Sequence, residues 1–136
     1  MALPKGNLTA AQYEIMAVVW NAGALGVTVA DIWQKIGESR AIGRTTVLNQ
    51  VDRLEKRGWL RRLTGEGPTR FRATLSQQDA SQQLVAGFLT DYFQGSTVDL
   101  MSALLGSDAG TLTRKDVDRL RKLLDQARRR PTEGQP

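Results

Sequence analysis

The chain has no cysteine and no histidine in its 136 residues. The first absence excludes disulfides and thiolate metal sites, and the two together exclude zinc fingers and Cys or His catalysis. It also fits a reducing cytosol. No carboxylate cluster has the spacing of a calcium loop, and no cofactor is expected. No apolar run approaches the ~18 residues that a membrane span needs. The N-terminal MALPKGNLTAAQ lacks the apolar core of a signal peptide, so a cytoplasmic protein is expected. There is no G-x-S-x-G elbow. The lone G-x-G, Gly65-Glu66-Gly67, lies in a turn and not before a helix, so no nucleotide fingerprint and no enzyme is read here.

Charge is present and unevenly placed. The net charge is +5. Residues 40–72 hold Arg40, Arg44, Arg53, Lys56, Arg57, Arg61, Arg62, Arg70 and Arg72 against Asp52, Glu55 and Glu66. Residues 76–113 hold no Lys or Arg and only Asp as charged residues. This asymmetry points to a polyanion-binding half joined to a half with another task.

The apolar spacing sorts the chain into short helices. After a loose arm over residues 1–7, Thr9 and Gln12 form a capping box for the first helix. Leu8, Ala11, Ile15, Met16, Val19 and Trp20 are its apolar positions, and Asn21 to Gly26 ends it. Val27 suits a very short strand. Thr28 with Asp31 opens a second helix with Val29, Ile32, Trp33 and Ile36 inward, and Gly37 is expected to stop it. A polar turn, ESRAIG, leads to a third helix over 44–57. Val47, Val51 and Leu54 face inward, flanked by Leu48. Gly58 suits the left-handed helix end. Residues 59–63 and 69–74 read as hairpin strands around a Gly-Glu-Gly-Pro turn, with Phe71 inward and Arg70 and Arg72 outward.

The expected fold is mainly α with a small β-hairpin wing. A winged helix-turn-helix over 1–75 is followed by a helical dimerisation element over 76–128 and a flexible tail over 129–136. Leu84, Phe88, Tyr92, Met101, Leu104, Leu105, Val117, Leu120 and Leu124 supply wide apolar stripes to the C-terminal helices. These helices are too short to bury such stripes in isolation, which favours a homodimer.

The third helix presents Thr45, Thr46, Asn49, Gln50 and Arg53 away from its apolar face. Short polar side chains near a helix start can read base edges in the major groove, and Asn or Gln can pair bidentately with adenine. Arg44, Arg57, Arg61, Arg62, Arg70 and Arg72 are placed for phosphates, which position a protein on double-stranded DNA without reading sequence. Two other readings follow from the same residues. One is a winged helix used as a protein-interaction module, which would more often expose apolar or aromatic residues on this face. The other is a small-molecule-responsive repressor with Trp20, Trp33 or Tyr92 lining an inducer pocket.

LTAAQYEIMAVVW, TTVLNQVDRLEKRGWL and GPTRFRA together resemble the penicillinase-repressor (BlaI/MecI/CopY-type) family over residues 8–126. The resemblance implies a homodimeric repressor of a palindromic operator. Thr45, Thr46, Asn49 and Arg53 fall at the family's recognition-helix contacts, and Arg70 and Arg72 in its wing. It also implies relief of repression by cleavage near Ala103-Leu104, within Asp99 to Leu105. A membrane sensor with a metallopeptidase domain would act there directly or indirectly. Staphylococcal members have Asn-Phe at that bond. The copper-responsive branch uses C-terminal Cys pairs, which this chain lacks.

Overall fold

The computed structural model describes residues 4–107 and 111–129, with Glu38 described by its backbone alone. Of the expected tail over 129–136, Arg129 is helical and residues 130–136 lie outside the described residues, as do the first three residues of the arm. The elements are α1 (Ala10–Ala22), a 3-10 turn (Gly23–Leu25), α2 (Val29–Arg40), α3 (Arg44–Lys56), β1 (Leu60–Leu63), β2 (Arg70–Ala73), α4 (Gln77–Phe93), α5 (Thr97–Leu105) and α6 (Arg114–Arg129). They form two units, divided between Tyr92 and Phe93.

Both expected capping boxes are present. Thr9 Oγ1 accepts from Gln12 N–H at 3.1 Å while Gln12 Oε1 accepts from Thr9 N–H at 3.0 Å. The same exchange links Thr28 and Asp31, at 3.1 and 3.2 Å. The backbone N–H and then the hydroxyl of Thr28 hold the Asp31 carboxyl below its usual range. These bonds satisfy amides that a helix start leaves open.

Gly37 does not stop α2, which runs three residues further, to Arg40. Its role is steric. A Cβ there would meet the Trp33 indole at 2.7 Å. The helix instead ends at Ala41, in the left-handed region at φ 53, with Ile42 N–H returning to Gly37 O at 3.2 Å. The turn before α3 is therefore only Ala41 to Gly43.

The arm is not loose over its described residues. Lys5 N–H donates to Arg57 O at 3.0 Å, and Lys5 O accepts from Arg57 Nε at 3.0 Å and from Trp59 Nε1 at 3.1 Å. Pro4 is buried, and its carbonyl accepts from Gln83 Nε2 in α4 at 2.9 Å. Residues 4–7 thus strap the end of α3 to α4.

Ile15, Met16 and Val19 of α1, Ile32 and Ile36 of α2, and Val47, Val51 and Leu54 of α3 form the core. Trp59, Leu60 and Phe71 close it from the wing, and Ala80 from α4. Trp20 and Trp33 pack at its margin, each with its indole N–H satisfied by a backbone carbonyl, Leu75 O at 2.9 Å and Ile42 O at 3.2 Å. The N-terminal unit therefore continues well beyond residue 75. Leu84 packs on this core, so part of α4 is committed to the winged helix.

The hairpin is antiparallel, with Leu60, Arg61, Arg62 and Leu63 opposite Ala73, Arg72, Phe71 and Arg70. Val27 adds the expected short strand as a single bridge to Phe71, exchanging both backbone bonds at 3.0 and 2.8 Å. In the second unit, α5 and α6 bury no residue in one copy of the chain.

Candidate nucleic-acid interface

α3 gets its shape from its two ends. Gly43 is the N-cap and brings no side chain across the first turn. The amides there are left open, beside exposed Arg44, Thr45 and Thr46. At the other end Gly58, at φ 86, allows two returning bonds, Gly58 N–H to Glu55 O at 3.0 Å and Trp59 N–H to Leu54 O at 2.9 Å. The chain leaves α3 directly into β1, which fixes the wing to the helix.

The sequence-predicted base-reading residues divide in two. Thr45, Thr46, Asn49 and Arg53 are exposed, and their side chains hold no hydrogen bond or ion pair with another described residue. Gln50 is half-buried on the flank of α3, and its Oε1 accepts from Gln12 Nε2 at 2.9 Å. Leu48 is 51% exposed on the opposite flank. It lines a groove of about 330 Å³ with Val29, Arg44, Arg62, Pro68 and Phe71.

The predicted phosphate residues divide likewise. Arg61 and Arg72 stand directly opposite each other across the hairpin, on the same face as Arg70. Like charges placed opposite on a sheet repel, so this face gains from an anion between them. Arg70 also reaches Gly26 O at 3.4 Å. Arg62 points to the other face. It grips Glu55 at 2.8 Å and lies over the Phe71 ring, 5.5 Å from the centroid. The hydrogen bond to Glu55 pushes its pKa further up. Arg57 is taken up by the arm, bonding the carbonyls of Lys5 and Asn7 and reaching Gln12 Oε1 at 3.4 Å. Arg40 is likewise held, by both oxygens of Glu14. Arg44, Arg53 and Arg61 thus keep their charge open to a ligand, while Arg57 and Arg62 spend theirs on aligning α3 with the arm and the wing.

Sequence reading missed Gln12 and Glu55 as parts of this site. Gln12 was legible only as a cap, because its second partner is 38 residues away. Of the three aromatic residues of the inducer reading, Trp20 lines an open cavity of about 340 Å³ with Val19, Arg72 and Leu75 among others. Trp20 and Trp33 hold separate backbone carbonyls, and Tyr92 is 70% exposed. A cavity of about 410 Å³ between α1 and α2 is lined by Val18, Asn21, Ala22, Gly26, Asp31 and Lys35 among others, and by none of the three.

A polar helix face held open beside a basic hairpin, on a three-helix core, defines a winged helix-turn-helix of the DNA-binding transcription regulators. More narrowly, the chain belongs to the penicillinase repressor family, whose sequence profile matches residues 8–126. No curated protein sequence matches it. Among solved structures it is similar to MarR from E. coli. A cysteine-to-serine mutant of that protein, complexed with operator DNA, is 20% identical with a TM-score of 0.45, over 88% of this chain and 75% of that one. Its oxidized form is 21% identical with a TM-score of 0.45, over the same shares. Among the described residues no helix is long and apolar enough to cross a membrane.

Proposed function

We propose that the chain is a cytoplasmic, homodimeric repressor that binds a two-fold symmetric DNA operator and blocks a promoter. One observation carries the reading: Thr45, Thr46, Asn49 and Arg53 form a polar surface without internal partners, next to the opposed Arg61 and Arg72. An interaction module would gain little from such a face. Two recognition helices related by a dimer axis would enter major grooves about 10 base pairs apart, or a multiple of that. Of the apolar residues proposed for the dimer interface, Phe88, Tyr92, Leu104, Leu105 and Leu124 are 45% exposed or more in one copy, and Leu84, Met101, Val117 and Leu120 are of intermediate exposure.

Selection from a random DNA pool tests this, with binding of the selected site repeated across salt concentrations. The expected result is a symmetric site with a steep salt slope. Arg61→Ala and Arg72→Ala are expected to weaken binding to every sequence and to reduce the slope by about one unit each. A slope that both variants leave unchanged removes the wing from the phosphate contacts. A pool without enrichment removes operator reading itself.

Relief by proteolysis is part of the same proposal. Ala103 and Leu104 are exposed in one copy, in the last turns of α5. A protease takes extended chain, so α5 must unwind there first. Co-expression with a neighbouring membrane metallopeptidase, followed by mass spectrometry after induction, is expected to yield fragments ending near Ala103. An intact chain under derepressing conditions excludes this route.

A further inference from the structure

Gln12 is only 7% exposed, yet its amide bonds three residues and joins the start of α1 to α3. Its Oε1 accepts from Thr9 N–H at 3.0 Å and from the Arg57 guanidinium at 3.4 Å. Its Nε2 donates to Gln50 Oε1 at 2.9 Å. The order of these bonds matters. Thr9 N–H and Arg57 can only donate, so the Gln12 oxygen must face them and its nitrogen must face α3. A nitrogen facing Gln50 needs an acceptor, so Gln50 turns its oxygen inward. Its NH₂ is then the outer end. Gln50 lies on the same edge of α3 as Thr46 and Arg53, four and three residues away, beside the open polar face.

We propose that Gln12 is a positioning residue for DNA reading: it holds the Gln50 amide with NH₂ toward the groove, so Gln50 reads a hydrogen-bond acceptor. Guanine presents two such acceptors, N7 and O6, while thymine presents O4 and adenine N7, and cytosine presents only an amino donor. The amino groups of adenine and cytosine need the oxygen that Gln12 has turned away. Gln50 therefore does not make the bidentate adenine pair that its side chain allows in isolation. The inference deepens the operator-reading role above and rests on it.

Gln12→Glu tests it, because glutamate keeps the capping box and the acceptor for Arg57. Its second oxygen can only accept, so Gln50 must turn its NH₂ inward and its oxygen outward. Pool selection with the parent chain is expected to exclude cytosine and to favour guanine, which offers two acceptors, at one position of each half-site. The Gln12→Glu variant is expected to select the same site with adenine or cytosine at that position alone. The preference should swing by about fivefold or more, as befits a base contact. Gln12→Met, which offers no hydrogen bond, and Gln50→Ala should both flatten the preference there while other positions hold. A thermal melt of each variant separates altered reading from lost folding. A purely structural Gln12 would weaken all sites alike and exchange no base. Retention of the parental base by both Gln12 variants, or by Gln50→Ala, overturns the proposal. A parent chain that selects no base at any position instead overturns operator reading.

Discussion

Replacing Leu124 with aspartate is expected to separate the protein into single copies and to lower its affinity for a full operator by about a hundredfold. Leu124 stands on α6 with Val117 and Leu120, at spacings of four and three that place all three on one face. In one copy it is 64% exposed, and its neighbour Leu123 is 56% exposed. Leu104 and Leu105 on α5, and Phe88 and Tyr92 on α4, are 45% exposed or more. Covering a leucine stabilises an assembly by roughly 1.5–3 kcal/mol, and in a two-fold dimer each substitution acts twice. An aspartate there would also have to lose its water. Because the side chain is already exposed in one copy, the variant is expected to melt within a few degrees of the parent under conditions where both are monomeric. Light scattering across concentration reads the assembly, and gel shifts on full and half sites read the linkage. Half-site binding should persist while full-site binding falls. A variant that stays dimeric at the parent's concentrations would remove α6 from the interface.

What could be read from sequence and what could not divide along chain distance. The two capping boxes, the inward face of α3 and the inward Phe71 between outward Arg70 and Arg72 depend on residues within a few positions of each other, and each appears as read. The single bridge from Val27 to Phe71 was half legible, as a short apolar strand without a known partner. Gly37 misled because a glycine after an apolar run looks like a helix end. Only the packed Trp33 indole shows that it makes room and does not stop the helix. The arm misled because polar, glycine-bearing termini usually fray. Its bonds to Arg57, Trp59 and Gln83 join residues 50 or more positions apart, which no local pattern encodes. The same limit applies to the site. Which residues form the exposed polar face was legible from helical spacing. Which of the arginines are taken up internally, Arg57 by the arm and Arg62 by Glu55, was not. Counting charge over 40–72 therefore overstated what is open to a polyanion.

Trp59→Ala is expected to cost about 3–5 kcal/mol, a large part of the roughly 5–15 kcal/mol that holds a domain together. Trp59 is 0% exposed, and it sits where α3 ends and the wing begins. Its backbone N–H returns to Leu54 O at 2.9 Å, and its own carbonyl accepts from Thr74 N–H at 3.1 Å. Its indole donates to Lys5 O at 3.1 Å. One side chain therefore fills the core beneath the recognition helix, and its other bonds hold the hairpin and the arm in place. Removing it leaves a cavity that these anchored neighbours cannot close by moving. Trp59→Phe isolates the polar part. It keeps most of the volume but loses the indole N–H, and Lys5 O retains Arg57 as a donor, so about 1–2 kcal/mol is expected. Denaturant unfolding of the three proteins reads both costs, and the phenylalanine variant should still bind DNA once folded. An alanine variant that costs less than about 1.5 kcal/mol would show that this junction can relax. The orientation of the wing relative to α3 would then have to come mainly from the Arg62–Glu55 pair on the surface, where solvent screens an ion pair and leaves it weak.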